Sequence, residues 1–188
     1  MKAVPFKENE MRIILPKSFV PLEAINGPFF YLAGPVLGGD GWQQDACWML
    51  DRKLKEFYAV VPCRWLQGSP MFPFNVQGRQ DQFDRQTHWE HFYLQAVAAR
   101  GCIVFWLPGE SKRNPRQDGS PYARDTYGEL GYWRAKLSHN PAIRLVVGAE
   151  EGFLGRSQIA RNFELDLPKF TIYSSLQETI EVAVNSLR

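Results

Sequence analysis

Asp125 and Glu129 stand four residues apart in the segment Asp125-Thr126-Tyr127-Gly128-Glu129-Leu130-Gly131-Tyr132. In a helix that spacing brings both carboxylates to one face of the opening turns. A carboxylate at a helix N-terminus is held ionised by exposed N–H groups and the helix dipole. Glycosyl chemistry requires such a group: it attacks an anomeric carbon, or stabilises oxocarbenium-like charge, while a second group protonates the leaving base. Acidic residues also favour first turns for helix stability alone, a gain of about 0.3–1 kcal/mol. The pair by itself leaves both readings open.

A second segment, Gly34-Pro35-Val36-Leu37-Gly38-Gly39-Asp40-Gly41, is a glycine turn that can offer backbone N–H groups and a helix N-terminus to an anion or to ribose hydroxyls. It is neither GxGxxG nor a P-loop, since no Lys-Ser/Thr follows the last glycine. A tight strand-to-helix connection would use the same glycines for their positive φ. His88 and His91 flank Trp89-Glu90, but no further cluster at zinc-ligand spacing accompanies them, so neither a metal nor another cofactor is expected. His139 reads as a cation at a helix C-terminus. Ser69, Ser111 and Ser157 lack the context of a nucleophile elbow.

These groups need a scaffold. Pro28–Ala33 is a compact apolar run bounded by Gly27 and Gly34, as a strand buried on both faces would be. Trp42 to Glu56 then places Ala46, Met49, Leu50, Leu54 and Phe57 at helical spacing. Ala59–Cys63 is a second strand, and a Pro-, Gly-, Gln- and Asn-rich loop runs from Arg64 to Gln82. A helix follows from about Asp84 to Arg100, then the central strand Cys102–Leu107. A second polar loop, Gly109 to Ser120, carries Arg113 and Arg116 and reads as solvated. A helix over Asp125–Leu137, a strand over Ile143–Val147, a short strand over Phe170–Tyr173 and a last helix capped by Ser174 or Ser175 complete the pattern. Residues 1–26 read as an N-terminal arm holding a short β-like run, Met11–Leu15.

Strands alternating with helices predict parallel pairing. The expected fold is therefore α/β, a flavodoxin- or Rossmann-like three-layer sandwich with a roughly five-stranded parallel sheet, in a single domain spanning residues 1–188. Ligands of such sheets bind beyond the carboxyl ends of the strands. That rule directs attention to the segments after Tyr31, around Glu90 and from Asp125 onward.

Composition narrows the classes. A chain of 188 residues with 45% hydrophobic and 22% charged residues is that of an ordinary folded domain. The net charge of +2, dispersed along the chain, lacks the basic stripe of a nucleic-acid binder. No apolar run approaches the ~20 residues that cross a bilayer, and no signal-peptide core is seen near the N-terminus. Cys47, Cys63 and Cys102 have no CxxC spacing and sit in or beside apolar segments, as free thiols in a reducing compartment do. A cytoplasmic location is expected.

Three segments together carry a resemblance: Tyr31-Leu32-Ala33-Gly34-Pro35 after an apolar strand, Trp89-Glu90 before Val104-Phe105-Trp106-Leu107-Pro108, and Gly128-Glu129-Leu130-Gly131-Tyr132. In order and spacing, over roughly Phe29 to Val147, the chain resembles the nucleoside 2-deoxyribosyltransferase family and its broader superfamily. That resemblance implies that Glu129 is the nucleophile that captures the sugar and that Tyr31 holds and orients its carboxylate. It further implies that Glu90 contacts the nucleobase and assists its protonation, and that Asp125 binds the sugar. Gly34, Gly38, Gly39 and Trp89 are the further residues expected at the substrate. Where many relatives carry Ala-Asp before the central strand, this chain has Ala99-Arg100-Gly101, and its loop before Pro121 is longer.

The function so implied is N-glycosidic bond chemistry on a nucleoside or nucleotide, through a glycosyl-enzyme intermediate resolved by a second base or by water. The alternative is a non-catalytic nucleotide-binding module of the same fold, acting as a sensor or interaction domain. Because relatives complete their pockets across subunits, a homo-oligomer is expected, with a small-molecule ligand and neither nucleic acid nor membrane as partner.

Overall fold

The computed structural model describes residues 10–63, 75–79 and 81–188. Its elements are β1 (Glu10–Ile14), a 3-10 turn (Leu22–Ala24), β2 (Phe29–Ala33), α1 (Trp42–Lys53), β3 (Glu56–Val60), β4 (Asn75–Val76), α2 (Gln86–Arg100), β5 (Cys102–Leu107), α3 (Arg124–His139), β6 (Leu145–Ala149), α4 (Arg156–Asp166), β7 (Ile172–Tyr173) and α5 (Leu176–Asn185). The strands form one sheet in the order β4-β1-β3-β2-β5-β6-β7, with every pairing parallel.

The five strands β3-β2-β5-β6-β7 have the 2-1-3-4-5 order of a flavodoxin-like sheet, which is the α/β sandwich expected from the sequence. The sheet extends two strands further, through β1 and β4. Met11–Leu15 is therefore no part of a loose arm: β1 lies between β3 and β4, and Met11, Ile13, Ile14 and Leu15 are all buried. The polar approach to this run masked an apolar segment that both neighbours cover. Most of the loop expected over Arg64–Gln82 lies outside the described residues, as does the chain before Glu10.

Strand side chains alternate between two cores. On one face Phe29, Tyr31, Ala33, Ile103 and Phe105 meet Trp89, Tyr93 and Val97 of α2, Leu130 and Trp133 of α3, and Ile159 and Phe163 of α4. On the other, Phe30, Leu32, Val104 and Trp106 meet Ala46, Cys47 and Leu50 of α1 and Ile180, Ala183 and Val184 of α5. Every residue of β2 and β5 is buried, as a central parallel strand requires.

Other elements differ from the sequence reading as well: β4 falls where a loop was expected, and β6 runs Leu145–Ala149 where a strand over Ile143–Val147 was expected. Helix α4 was not expected, because it buries little beyond Ile159 and Phe163, too thin a stripe to reveal its period. Helix α1 ends at Lys53, and Glu56 and Phe57 begin β3. The cap of α5 is Ser175, whose Oγ accepts from the Glu178 N–H at 3.2 Å, a Ser-x-x-Glu capping box in its sequence. Among the described residues no helix is long and apolar enough to cross a membrane.

From β2 the chain passes through α1 to β3 on one side, and later reaches β5 on the other. The carboxyl ends of β2 and β5 thus flank the topological switch point, where a crevice must open.

Candidate active site

The crevice is built from the end of β2 upward. Tyr31 points toward the α2–α3 face, is 1% exposed, and rests against the Trp89 ring with centroids 6.3 Å apart. Beyond it the chain turns at Gly34, whose φ of +148° is left-handed territory. A Cβ there would overlap the Trp106 carbonyl oxygen and come within 2.8 Å of the Trp42 ring. Only glycine lets the chain hug β5 at this point. The Trp42 indole N–H then donates to the Pro35 carbonyl at 3.0 Å and pins the turn to α1.

Helix α2 supplies Glu90, whose carboxylate accepts from the Gln86 side-chain amide one turn earlier at 2.7 Å. Helix α3 supplies Asp125 and Glu129. It starts from Ala123, a buried non-glycine residue at φ +57° that lines the crevice, a conformation that costs of order 1–3 kcal/mol. Tyr31, Gly34, Glu90, Asp125 and Glu129 all line one cavity of about 190 Å³. The two carboxylates four residues apart do reach a common space, and a third from another helix joins them.

The electrostatics of that space differ from the expectation. Glu129 is the sixth residue of α3, past the first turn where exposed N–H groups hold a carboxylate ionised. Burial first, then the charges of Glu90 and Asp125, push its carboxyl up to about 7. Glu90 is also raised, chiefly by burial and further by Asp125, with the Gln86 hydrogen bond opposing. Tyr31 is held far above the ordinary phenol range by burial and by Glu90 and Glu129, so it stays an O–H donor. Asp125 is the exposed member, its side chain 72% accessible and in contact with Arg124 at 3.2 Å.

The remaining expected residues separate. Trp89 is fully buried, and its indole N–H donates to the Ser18 carbonyl at 3.0 Å, so it braces Tyr31 from the core and does not reach the cavity. Gly38 lines an adjoining cavity of about 440 Å³ that shares Val36, Leu37 and Arg116 with the first. Gly39 is buried, and a Cβ there would overlap the Pro35 carbonyl oxygen, which makes it a residue of the turn's internal packing. His88 and His91 are exposed on α2, and His139 closes α3 with Nδ1 2.8 Å from the Ala135 carbonyl. Among the described residues no three His, Cys, Asp or Glu side chains are grouped to hold a metal ion.

Arg116 is the site residue that the sequence did not single out. The loop expected to be solvated folds back on the glycine turn, with the Ser111 N–H donating to the Gly38 carbonyl at 2.8 Å. Arg116 stands where the two cavities meet, its side chain 12% exposed. Its guanidinium makes a bidentate pair with Asp118, at 2.6 and 2.9 Å, and donates to the Pro121 carbonyl at 3.2 Å. The Arg-x-Asp spacing was the available signal, masked by the other charges of the loop. Compared with known proteins, the chain matches no family model and no curated protein.

Proposed function

We propose that the chain is an N-glycosidic bond enzyme that takes a nucleoside or nucleotide and passes its sugar through a covalent intermediate on Glu129. The observation that carries this reading is the convergence of Tyr31, Glu90, Asp125 and Glu129 on one small cavity at the switch point of the sheet. The resemblance of the same residues to the nucleoside 2-deoxyribosyltransferases supports it independently of the geometry.

Two carboxyls with raised proton affinity suit the chemistry, because one proton shared between them leaves an acid and a nucleophile near neutral pH. In the first half-reaction the ionised Glu129 attacks C1′ and the C1′–N bond breaks. Its electron pair goes to the base, which takes the proton of Glu90. The result is a glycosyl ester and a free base. A nitrogen of a second base, or water, then attacks C1′; the ester C–O bond returns its electrons to Glu129, and Glu90 takes up the incoming proton. Asp125, open to solvent, accepts from a sugar hydroxyl, and the Tyr31 hydroxyl donates to the Glu129 carboxylate.

The test is incubation of the purified protein with deoxyribonucleosides, ribonucleosides and their 5′-monophosphates, with and without an acceptor base, followed by chromatography for free base. Release that disappears in Glu129→Ala is the expected result. Saturable binding with no base released from any compound would instead favour a non-catalytic binding module.

A further inference from the structure

Gln43 lies in the first turn of α1 and is 2% exposed, yet it lines the second cavity. Its amide nitrogen donates to the Pro62 carbonyl at 3.3 Å. A carbonyl can only accept, so this bond sets which way the amide faces: the NH2 turns to Pro62 and the amide oxygen turns away. No hydrogen bond reaches that oxygen among the described residues. That oxygen is not sealed from solvent, so a ligand N–H or O–H entering the cavity that Gln43 lines can reach it.

The charges around the same space point the same way. Asp40 lines it, adding a second acceptor. Arg116, its cationic neighbour, already holds Asp118 in a bidentate pair. Asn114 and Gln117, also on its wall, can each donate and accept. A phosphate group, which at neutral pH offers essentially only acceptor oxygens, would meet Gln43 and Asp40 with nothing to give them and a cation already neutralised. An uncharged polar group would satisfy both.

We infer that the second cavity is a subsite for an uncharged, hydrogen-bond-donating part of the ligand, and that the side-chain oxygen of Gln43 determines specificity there. This rests on the glycosidic reading for the identity of the ligand, a nucleoside whose sugar occupies the carboxylate cavity. It narrows that reading to substrates without a 5′-phosphate. The donor is either an exocyclic amine of the base or the 5′-hydroxyl, and the ligands below separate the two.

The experiment is calorimetric titration of the full chain with 2′-deoxyadenosine, its 5′-monophosphate, purine 2′-deoxyriboside (no amine) and 5′-deoxy-2′-deoxyadenosine (no 5′-hydroxyl), in the wild type and in Gln43→Met. In the wild type, the monophosphate and one of the two donor-deficient analogues should bind at least tenfold more weakly than 2′-deoxyadenosine. In Gln43→Met the penalty for that missing donor should vanish. Equal wild-type affinities across the four compounds would overturn the inference even if Gln43→Met does not fold. So would a donor penalty that survives in a folded Gln43→Met. Binding with the expected Gln43 dependence but no base release by the wild type would sink the catalytic reading and leave the subsite standing; binding of none of the compounds would sink both.

Discussion

Glu90 on α2 and Glu129 on α3 line the same cavity, and the charge of the first adds to the burial that pushes the proton affinity of the second up to about 7. Attack on a sugar needs Glu129 ionised and Glu90 protonated. The productive arrangement is one form of the singly protonated pair, and the two groups titrate as a unit.

A bell-shaped pH dependence of kcat/KM follows. On the alkaline side activity should fall through about pH 7, where the last proton leaves the pair. On the acid side it should fall when both carboxyls are protonated. Replacing Glu90 by Gln removes the acid, which should lower the rate by about 10²–10⁴-fold and abolish the alkaline limb. An alkaline limb unchanged in Glu90→Gln would assign it to another group.

Glu129 should cost stability at neutral pH. Its folded-state value of about 7 lies above the usual 4.5, so the folded chain binds the extra proton and loses stability as pH rises between those values. The loss is at most about 3 kcal/mol, complete above pH 7 and absent below pH 4. Urea unfolding of Glu129→Gln should show a gain approaching that size at pH 8 and little difference at pH 4. Equal stabilities at pH 8 would mean that the carboxyl is better solvated than the cavity implies.

Gly34→Ala should be among the most damaging single-methyl additions. The new Cβ meets the Trp106 carbonyl and the Trp42 ring at a left-handed φ, a combined clash and strain of about 3 kcal/mol. A fall in Tm of roughly 6–12 °C is expected in thermal denaturation. A Tm within 2 °C of the wild type would show that the β2 exit can move away from β5.

Trp89→Phe separates a core role from a binding role. It removes the N–H that satisfies the Ser18 carbonyl and opens space beside Tyr31, a loss of about 1–3 kcal/mol. Ligand affinity of the folded variant should stay within twofold of the wild type by titration calorimetry. A tenfold weaker affinity with unchanged stability would return Trp89 to the binding surface.

Short-range patterns made much of this legible. The apolar runs of β2 and β5 announce central strands because both faces of a parallel strand must be apolar. The spacing of Asp125 and Glu129 announces a shared helix face because α-helical geometry repeats every 3.6 residues. Helix α4 and strand β1 were harder to read for the opposite reason: one buries too narrow a stripe, and the other follows a polar approach.

By itself, then, the sequence determined the alternation of elements, the parallel sheet that follows from it and the residues with the right chemical types, since all of these depend on neighbours within a few positions. Only the tertiary structure decided which of those residues share a cavity and what charge they carry there. Trp89 turned inward to Ser18, Arg116 came from a distant loop to the cavity wall, and Glu129 had its proton affinity raised by burial among acidic neighbours. Proton affinity and pocket membership depend on distances through space and on access to water, which the order of residues along a chain does not state.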